Sequence, residues 1–187
     1  VHAPGEAVRI GAFAFRFVPA GHVLVAAHIV VEHKGLRSVV SGDYKRERDP
    51  TCAPFEPVAC DVFITEATFG LPVFRHPPAH AETAKLLDSV RLFPDRTNIV
   101  GAYSLGKAQR LMALIREAGY ERPIFIHGAV EKITEFYQAH GIPLGDIRKI
   151  EPGGRKAEGR RAFAGELVIC PPRAIQDLWS RRFPDPA

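Results

Sequence analysis

A histidine, an aspartate and a glutamate recur at near-equal intervals early in the chain: His22 in PAGHVL, Asp43 in SGDYK and Glu66 in TEATFG, 21 and 23 residues apart. Each stands where an apolar or alternating run gives way to small and polar residues, so each is expected where a strand meets a loop. Imidazole nitrogen and carboxylate oxygen are the donors that borderline and hard divalent cations take. Gathered at one sheet edge, they suit hydrolysis by two metals about 3.5–4 Å apart, with one carboxylate touching both ions. Asp43 fits that bridging place, because Ser41 and Gly42 let the backbone turn tightly just before it. Any one of the three alone is more often a polar turn residue.

Cations follow Asp43 at once. Lys45, Arg46 and Arg48 stand where they could hold the phosphates of a strand entering such a site. Further on, Ser104, Gly106 and Lys107 in YSLGKAQR join a strand to a helix. A glycine there permits close backbone approach, the lysine adds charge, and a helix N-terminus favours anions. Ordinary capping by Ser104 is the plainer reading of the same residues. His127 in FIHGAVE ends a strand just before a helix, the edge at which open α/β sheets take ligands. His28 and His33 fall on opposite faces of one strand and read as structural or surface residues. His76 and His80 flank a Pro-Pro turn with only weak metal spacing. Cys52, Cys60 and Cys170 form no CxxC pair and are odd in number, which suits reduced thiols.

The elements that must position these residues change character along the chain. FAFRFVP alternates at period two, and HIVVEH and LRSVVSGD flank Lys34 and Gly35 as a hairpin. Residues 44–59 are polar and proline-broken, a long loop expected to line something, and DVFITEAT is a short strand. Residues 79–93 read as a helix with Ala84, Leu86, Leu87 and Val90 on its apolar face, stopped by Pro94. NIVGAY, PIFIHG and ELVIC read as strands. SLGKAQRLMALIREAG reads as a helix capped by Ser104, a second helix covers about 129–140, and PPRAIQDLWSRR is a last helix. Residues 152–164 are a basic loop. Strand–helix alternation of this kind implies a partly parallel layer.

The 187 residues, 46% hydrophobic, can bury a core and are expected to be soluble. The longest nearly apolar run, 23–31, is broken by His28 and too short to span a bilayer, so no membrane is expected. No signal peptide is visible, and an opening on Val1 points to trimming at the start. Net charge is +4, and the basic excess lies in residues 91–187, which hold 16 basic and 11 acidic side chains. Such an excess suits phosphate neutralisation, although a solvated basic face would look the same.

Residues 19–72 and the YSLGKAQR segment (103–110) resemble the β-CASP nucleases of the metallo-β-lactamase fold. Among these they look most like the bacterial ligase-associated DNA exonucleases. The resemblance covers nearly the whole chain and is weakest at 142–165. It implies an α/β (mixed α+β) fold: a partial lactamase-like β-rich domain at 1–72, an inserted β-CASP α/β domain at 73–170, and a C-terminal helix at 171–187 leading back. It also implies that His22 binds zinc at the third metal motif, and that Glu66 is the acidic residue of the first β-CASP motif, near the metals. The HGAVE segment around His127 recurs in the family, as does the loop of Ser104, Gly106 and Lys107. The family usually has glycine at the position of Val25, so a need for positive φ there would strain the valine.

In such nucleases the HxHxDH motif lies upstream of residue 1, and the last two β-CASP histidine motifs lie downstream of residue 187. No HxHxDH occurs here. The chain is therefore expected to be the central part of an enzyme and inactive alone. Two zinc ions in the intact parent, DNA or RNA as substrate, an ATP-dependent DNA ligase as partner and a cytoplasmic location complete what the resemblance implies. The leading reading is a zinc-dependent DNA exonuclease acting in repair. An RNA-processing nuclease of the same fold and a non-catalytic nucleic-acid-binding or scaffold protein are the alternatives.

Overall fold

The computed structural model describes residues 5–151, 162–183 and 186. Most of the basic loop expected at 152–164 lies outside the described residues. The chain divides into two units, Val1–His76 and Pro77–Ala187. Among the described residues no helix is long and apolar enough to cross a membrane.

In the first unit, β1 (Ala7–Ile10), β2 (Phe13–Pro19), β3 (Ala27–His33), β4 (Leu36–Val40) and β5 (Val62–Ile64) form one sheet in sequence order. The first four strands run antiparallel, and β5 joins β4 in parallel. The hairpin turn falls at Lys34 and Gly35, with φ of 47° and 82°. Two left-handed residues make the two-residue turn whose twist matches its strands. The register sets Val30 opposite Val39 and Val18 opposite His28, so all four share a face. Val18, Val30 and Val39 are buried there, with Val58 and Cys60 packed against them. The polar stretch 44–59 thus folds back over its own sheet. It is pinned by Glu56 N–H to the Pro19 carbonyl (3.1 Å), while Asp61 N–H reaches the Arg37 carbonyl (2.9 Å) just beyond.

The second unit holds α1 (Ala79–Leu92), β6 (Asn98–Gly101), α2 (Lys107–Glu117), β7 (Ile124–Ile126), α3 (Gly128–Ala139), β8 (Ile147–Lys149), β9 (Leu167–Cys170) and α4 (Pro172–Gln176). The sheet order is β6-β9-β7-β8, and every pairing is parallel. Strands buried on both faces read as unbroken apolar runs, and every residue of β7 and β9 is buried. Phe125, Ile150, Phe163, Val168 and Phe183 form a core, with Phe125 edge-on to Phe163 at 5.2 Å.

Several expectations are corrected here. In α1 the buried residues are Thr83 and Val90, and Ala84 is exposed. Thr83 can lie inward because its hydroxyl donates to the Ala79 carbonyl (2.9 Å). The expected last helix is two pieces, α4 and a 3-10 turn at Ser180–Arg182. Between them Asp177 is extended (ψ 171°), and its carboxylate accepts from Leu178 N–H at 2.7 Å. A short acidic side chain that binds its neighbour's backbone competes with helix continuation. Strand β8 was not legible in IRK, a three-residue element flanked by charge.

Candidate metal centre and nucleic-acid contacts

His22 is carried by the loop between β2 and β3, and its neighbours fix that loop tightly. Ala20 N–H donates to the Ala26 carbonyl (3.0 Å), and Ala26 N–H to the Val23 carbonyl (3.0 Å). Gly21 has φ 69°, and a Cβ placed on it would lie 2.4 Å from the Lys45 carbonyl oxygen and 2.8 Å from the Phe55 nitrogen. Only glycine gives both that conformation and that approach. The segment after β4 is thereby drawn against His22, helped by Lys45 N–H on the Ala20 carbonyl (3.0 Å). Gly42, with φ 56°, turns the chain so that Asp43 faces the histidine. His22 Nε2 and Asp43 Oδ2 lie 3.7 Å apart, with side chains 35% and 74% exposed.

Glu66 follows β5 and is tied to the same turn through Ser41. Ser41 N–H donates to the Ile64 carbonyl (2.9 Å), Glu66 N–H approaches the Ser41 hydroxyl (3.4 Å), and that hydroxyl donates to the Gly42 carbonyl (2.7 Å). Thr68 N–H donates to Glu66 Oε2 at 2.7 Å. That backbone bond, then the Thr68 side chain and more weakly the charge of His22, hold the Glu66 carboxyl below its ordinary pKa. Glu66 is therefore a carboxylate at neutral pH, fitted to accept hydrogen bonds or protons rather than to donate them.

Two donors on one tetrahedral zinc with bonds of about 2.0–2.1 Å lie about 3.3 Å apart, close to the 3.7 Å between His22 and Asp43. The chemistry and spacing of these two donors fit zinc. Among the described residues no three His, Cys, Asp or Glu side chains form a cluster able to hold a metal. These residues thus supply two donors where a tetrahedral ion takes four.

The cations after Asp43 differ in availability. The Lys45 ammonium is bound to the Asp49 carboxylate, which is buried and also accepts from the Thr51 amide (2.9 Å) and hydroxyl (2.6 Å). Burial raises the Asp49 pKa, but Lys45 and Thr51 outweigh it and hold the group low. Lys45 thus spends its charge inside the loop, whereas Arg46 is exposed.

In the second unit, the loop of Ser104, Gly106 and Lys107 and the residue His127 both leave carboxyl ends of parallel strands, β6 and β7. The helix start differs from the sequence expectation. Gly106, at φ 77°, occupies the cap position of α2 rather than Ser104. Gln109 folds back to accept from Gly106 N–H (2.9 Å) and donates to the Ser104 carbonyl (3.0 Å). Lys107 N–H bonds the Leu105 carbonyl (2.9 Å) and Ala108 N–H the Tyr103 carbonyl (3.1 Å). These first amides are occupied within the loop, so the charge available to an anion is that of Lys107. Its ammonium lies 4.7 Å from the centroid of the Tyr103 ring. His127 caps α3, its Nδ1 accepting from Ala129 N–H (2.9 Å), and its ring stands edge-on to Trp179 at 4.8 Å. Burial, and then the charge of Arg182, push its pKa below the ordinary value.

No protein-family model matches the chain. It is 30% identical over 173 residues to a probable DNA ligase of Opitutus terrae, covering 89% of this chain and 16% of that protein. It is 34% identical over 124 residues to endoribonuclease ysh1 of Aspergillus fumigatus, covering 64% and 13%. A third relative is cleavage and polyadenylation specificity factor subunit 3 of Dictyostelium discoideum, 32% identical over 112 residues, covering 58% and 14%. The chain belongs to the metallo-β-lactamase β-CASP nucleases. It spans only 13–16% of the length of these three relatives. A protein of unknown function from Enterococcus faecalis V583 shares its fold, with a TM-score of 0.53 at 14% identity, over 94% of this chain and 42% of that one.

Two residues of this β-CASP chain escaped the sequence reading. Ser41 reads in the sequence only as a small neighbour of Asp43, yet it binds both the Asp43 turn and Glu66. Tyr103 stands four residues before Lys107 in the segment already singled out, and an aromatic followed by a cation at that spacing was the available signal. Of the remaining histidines, His33 stacks on Phe13 at 4.4 Å, and His76 stands edge-on to Phe69 at 5.1 Å.

Proposed function

We propose that the chain supplies His22, Asp43 and Glu66 to a two-zinc centre of a longer cytoplasmic nuclease that hydrolyses DNA phosphodiesters at ends, in repair, beside an ATP-dependent DNA ligase. The observation that carries this reading is the convergence of His22 and Asp43 to 3.7 Å from loops 21 residues apart. His22 and Asp43 would hold zinc, and Asp43, 74% exposed, retains carboxylate surface with which to reach a second ion. Zinc supplies Lewis-acid polarisation of the phosphoryl oxygen and activation of water. Glu66, kept ionised by Thr68, orients a donor or accepts a proton at its carboxylate. DNA is favoured by the relative named a probable DNA ligase, which covers most of this chain. The relatives named ysh1 and cleavage and polyadenylation specificity factor subunit 3 favour a second reading, RNA cleavage.

The test uses the full-length protein with matched DNA and RNA oligonucleotides and metal analysis. About two zinc ions per molecule and preferential DNA trimming are expected. Asp43→Ala should lose metal and at least tenfold in turnover while keeping much of its DNA affinity. Preferential RNA cleavage would establish the second reading. Robust metal-dependent cleavage by residues 1–187 alone would overturn the view that most ligands lie outside this chain.

A further inference from the structure

Beneath the exposed site lies a buried histidine. His28, in β3, is 2% exposed, and its Nδ1 lies 3.1 Å from the Ser41 carbonyl oxygen. A carbonyl only accepts, so the proton sits on Nδ1. Nε2 is buried without a hydrogen-bond partner, and the ring stands edge-on to Phe55 at 5.1 Å with Tyr44 at 6.0 Å. Burying an unpaired polar atom is unfavourable, and leucine would fill this place without that cost. What histidine adds is the bond to Ser41.

That bond stands where the sheet stops. The β3–β4 ladder ends at Ile29 opposite Val40. The next rung would pair His28 with Ser41, but the chain turns away at Gly42 towards Asp43. The imidazole of His28 takes the place of that rung. Ser41, with no exposed surface, also binds the Ile64 carbonyl and the amide of Glu66.

We infer that His28 is a positioning residue: through the Ser41 carbonyl it fixes the Ser41–Asp43 turn, and so the placement of Asp43 opposite His22. The inference rests on reading His22 and Asp43 as metal donors. It is tested in the 187-residue chain with His28→Leu, which keeps bulk without a donor, and His28→Gln, whose amide can donate to the same carbonyl. Amide hydrogen exchange in His28→Leu should be about tenfold faster at Ser41 and Glu66 and unchanged at Val30 and Val39. His28→Gln should bring the rates back to within a few-fold of the original. Equal acceleration at Val30 and Val39 would make His28 a core residue and overturn the inference, as would no change anywhere. Zinc titration of the full-length protein, followed on the His22 ring by NMR, separates the two ideas. His28→Leu should weaken zinc about tenfold. Unchanged zinc affinity in His28→Leu, with Asp43→Ala losing it, sinks the positioning role alone. A zinc response absent from the unaltered full-length protein, or unaffected there by Asp43→Ala, sinks the metal reading, and the exchange rates still decide the positioning.

Discussion

Val25 sits at φ 62° and is 78% exposed, three residues after His22. A β-branched residue in the left-handed region is strained by about 1–3 kcal/mol, and so exposed a side chain gains little from packing. The loop can hold it because Ala26 N–H on the Val23 carbonyl closes the turn around it. Val25→Gly should therefore stabilise the chain by about 1 kcal/mol, the relief of strain outweighing the entropy that glycine adds to the unfolded state. In a chain of this size that is a rise of about 2–4 °C in Tm, measurable by thermal denaturation. An unchanged or lower Tm would show that the loop does not hold Val25 under strain. The need for positive φ was readable from the family's glycine at this position. The reason Gly21 cannot be replaced was not, because it lies in the Lys45 carbonyl and Phe55, 24 and 34 residues away in sequence.

Helix α3 starts on the imidazole of His127, which caps it only while Nδ1 is unprotonated. The His127 pKa is lowered in the folded chain by burial and then by Arg182. On unfolding, the ring returns to about 6.5, so between the two values the unfolded chain binds more protons. The capping contribution is then whole above pH about 6.5 and is lost as pH falls through the folded value. Asparagine caps equally well and does not titrate. His127→Asn should match the parent Tm near pH 8 and melt above it at pH 5, while His127→Ala should lose about 1 kcal/mol at pH 8. Parallel melting curves across this range for parent and His127→Asn would refute the titrating cap. Elements like α3 were legible because the stretch at about 129–140 is stopped cleanly by Gly141 and Pro143. The hairpin at Lys34–Gly35 was legible as two alternating runs joined by turn residues. Where the decisive partner is distant, the sequence is silent. Gln109 displaces Ser104 at the start of α2 partly because Thr134 of α3 also holds its amide (3.1 Å). Likewise Asp177 breaks the last helix by a bond to its own neighbour, although the apolar pattern of PPRAIQDLW runs on through it.

Charge is shared unevenly over the whole molecule. Residues 1–76 carry eight basic and eight acidic side chains, while residues 77–187 carry 17 and 13, so the net +4 resides in the second unit. Several cations of that unit are engaged by ion pairs: Lys85 with Glu82, Arg122 with Glu166, Arg148 with Asp146, and Lys149 with Glu131 and Glu151. Exposed pairs of this kind are weak, but each offsets a cation that would otherwise attract phosphate. Lys107 is held differently, over the face of Tyr103, which orients the ammonium without neutralising it. Lys107 should therefore contribute one phosphate contact where the paired cations contribute little. In the full-length protein, Lys107→Ala should weaken nucleic-acid binding, leave zinc content unchanged, and lower the salt slope of log K by about 0.7–0.9. Lys45→Ala is the matched comparison. Its cation already neutralises buried Asp49, so its loss should reduce stability and leave the salt slope nearly unaltered. Binding measured across a salt series distinguishes the two. A slope that falls for Lys45→Ala and holds for Lys107→Ala would move the phosphate contact to the loop beside Asp43 and leave the Tyr103–Lys107 segment as the start of a helix.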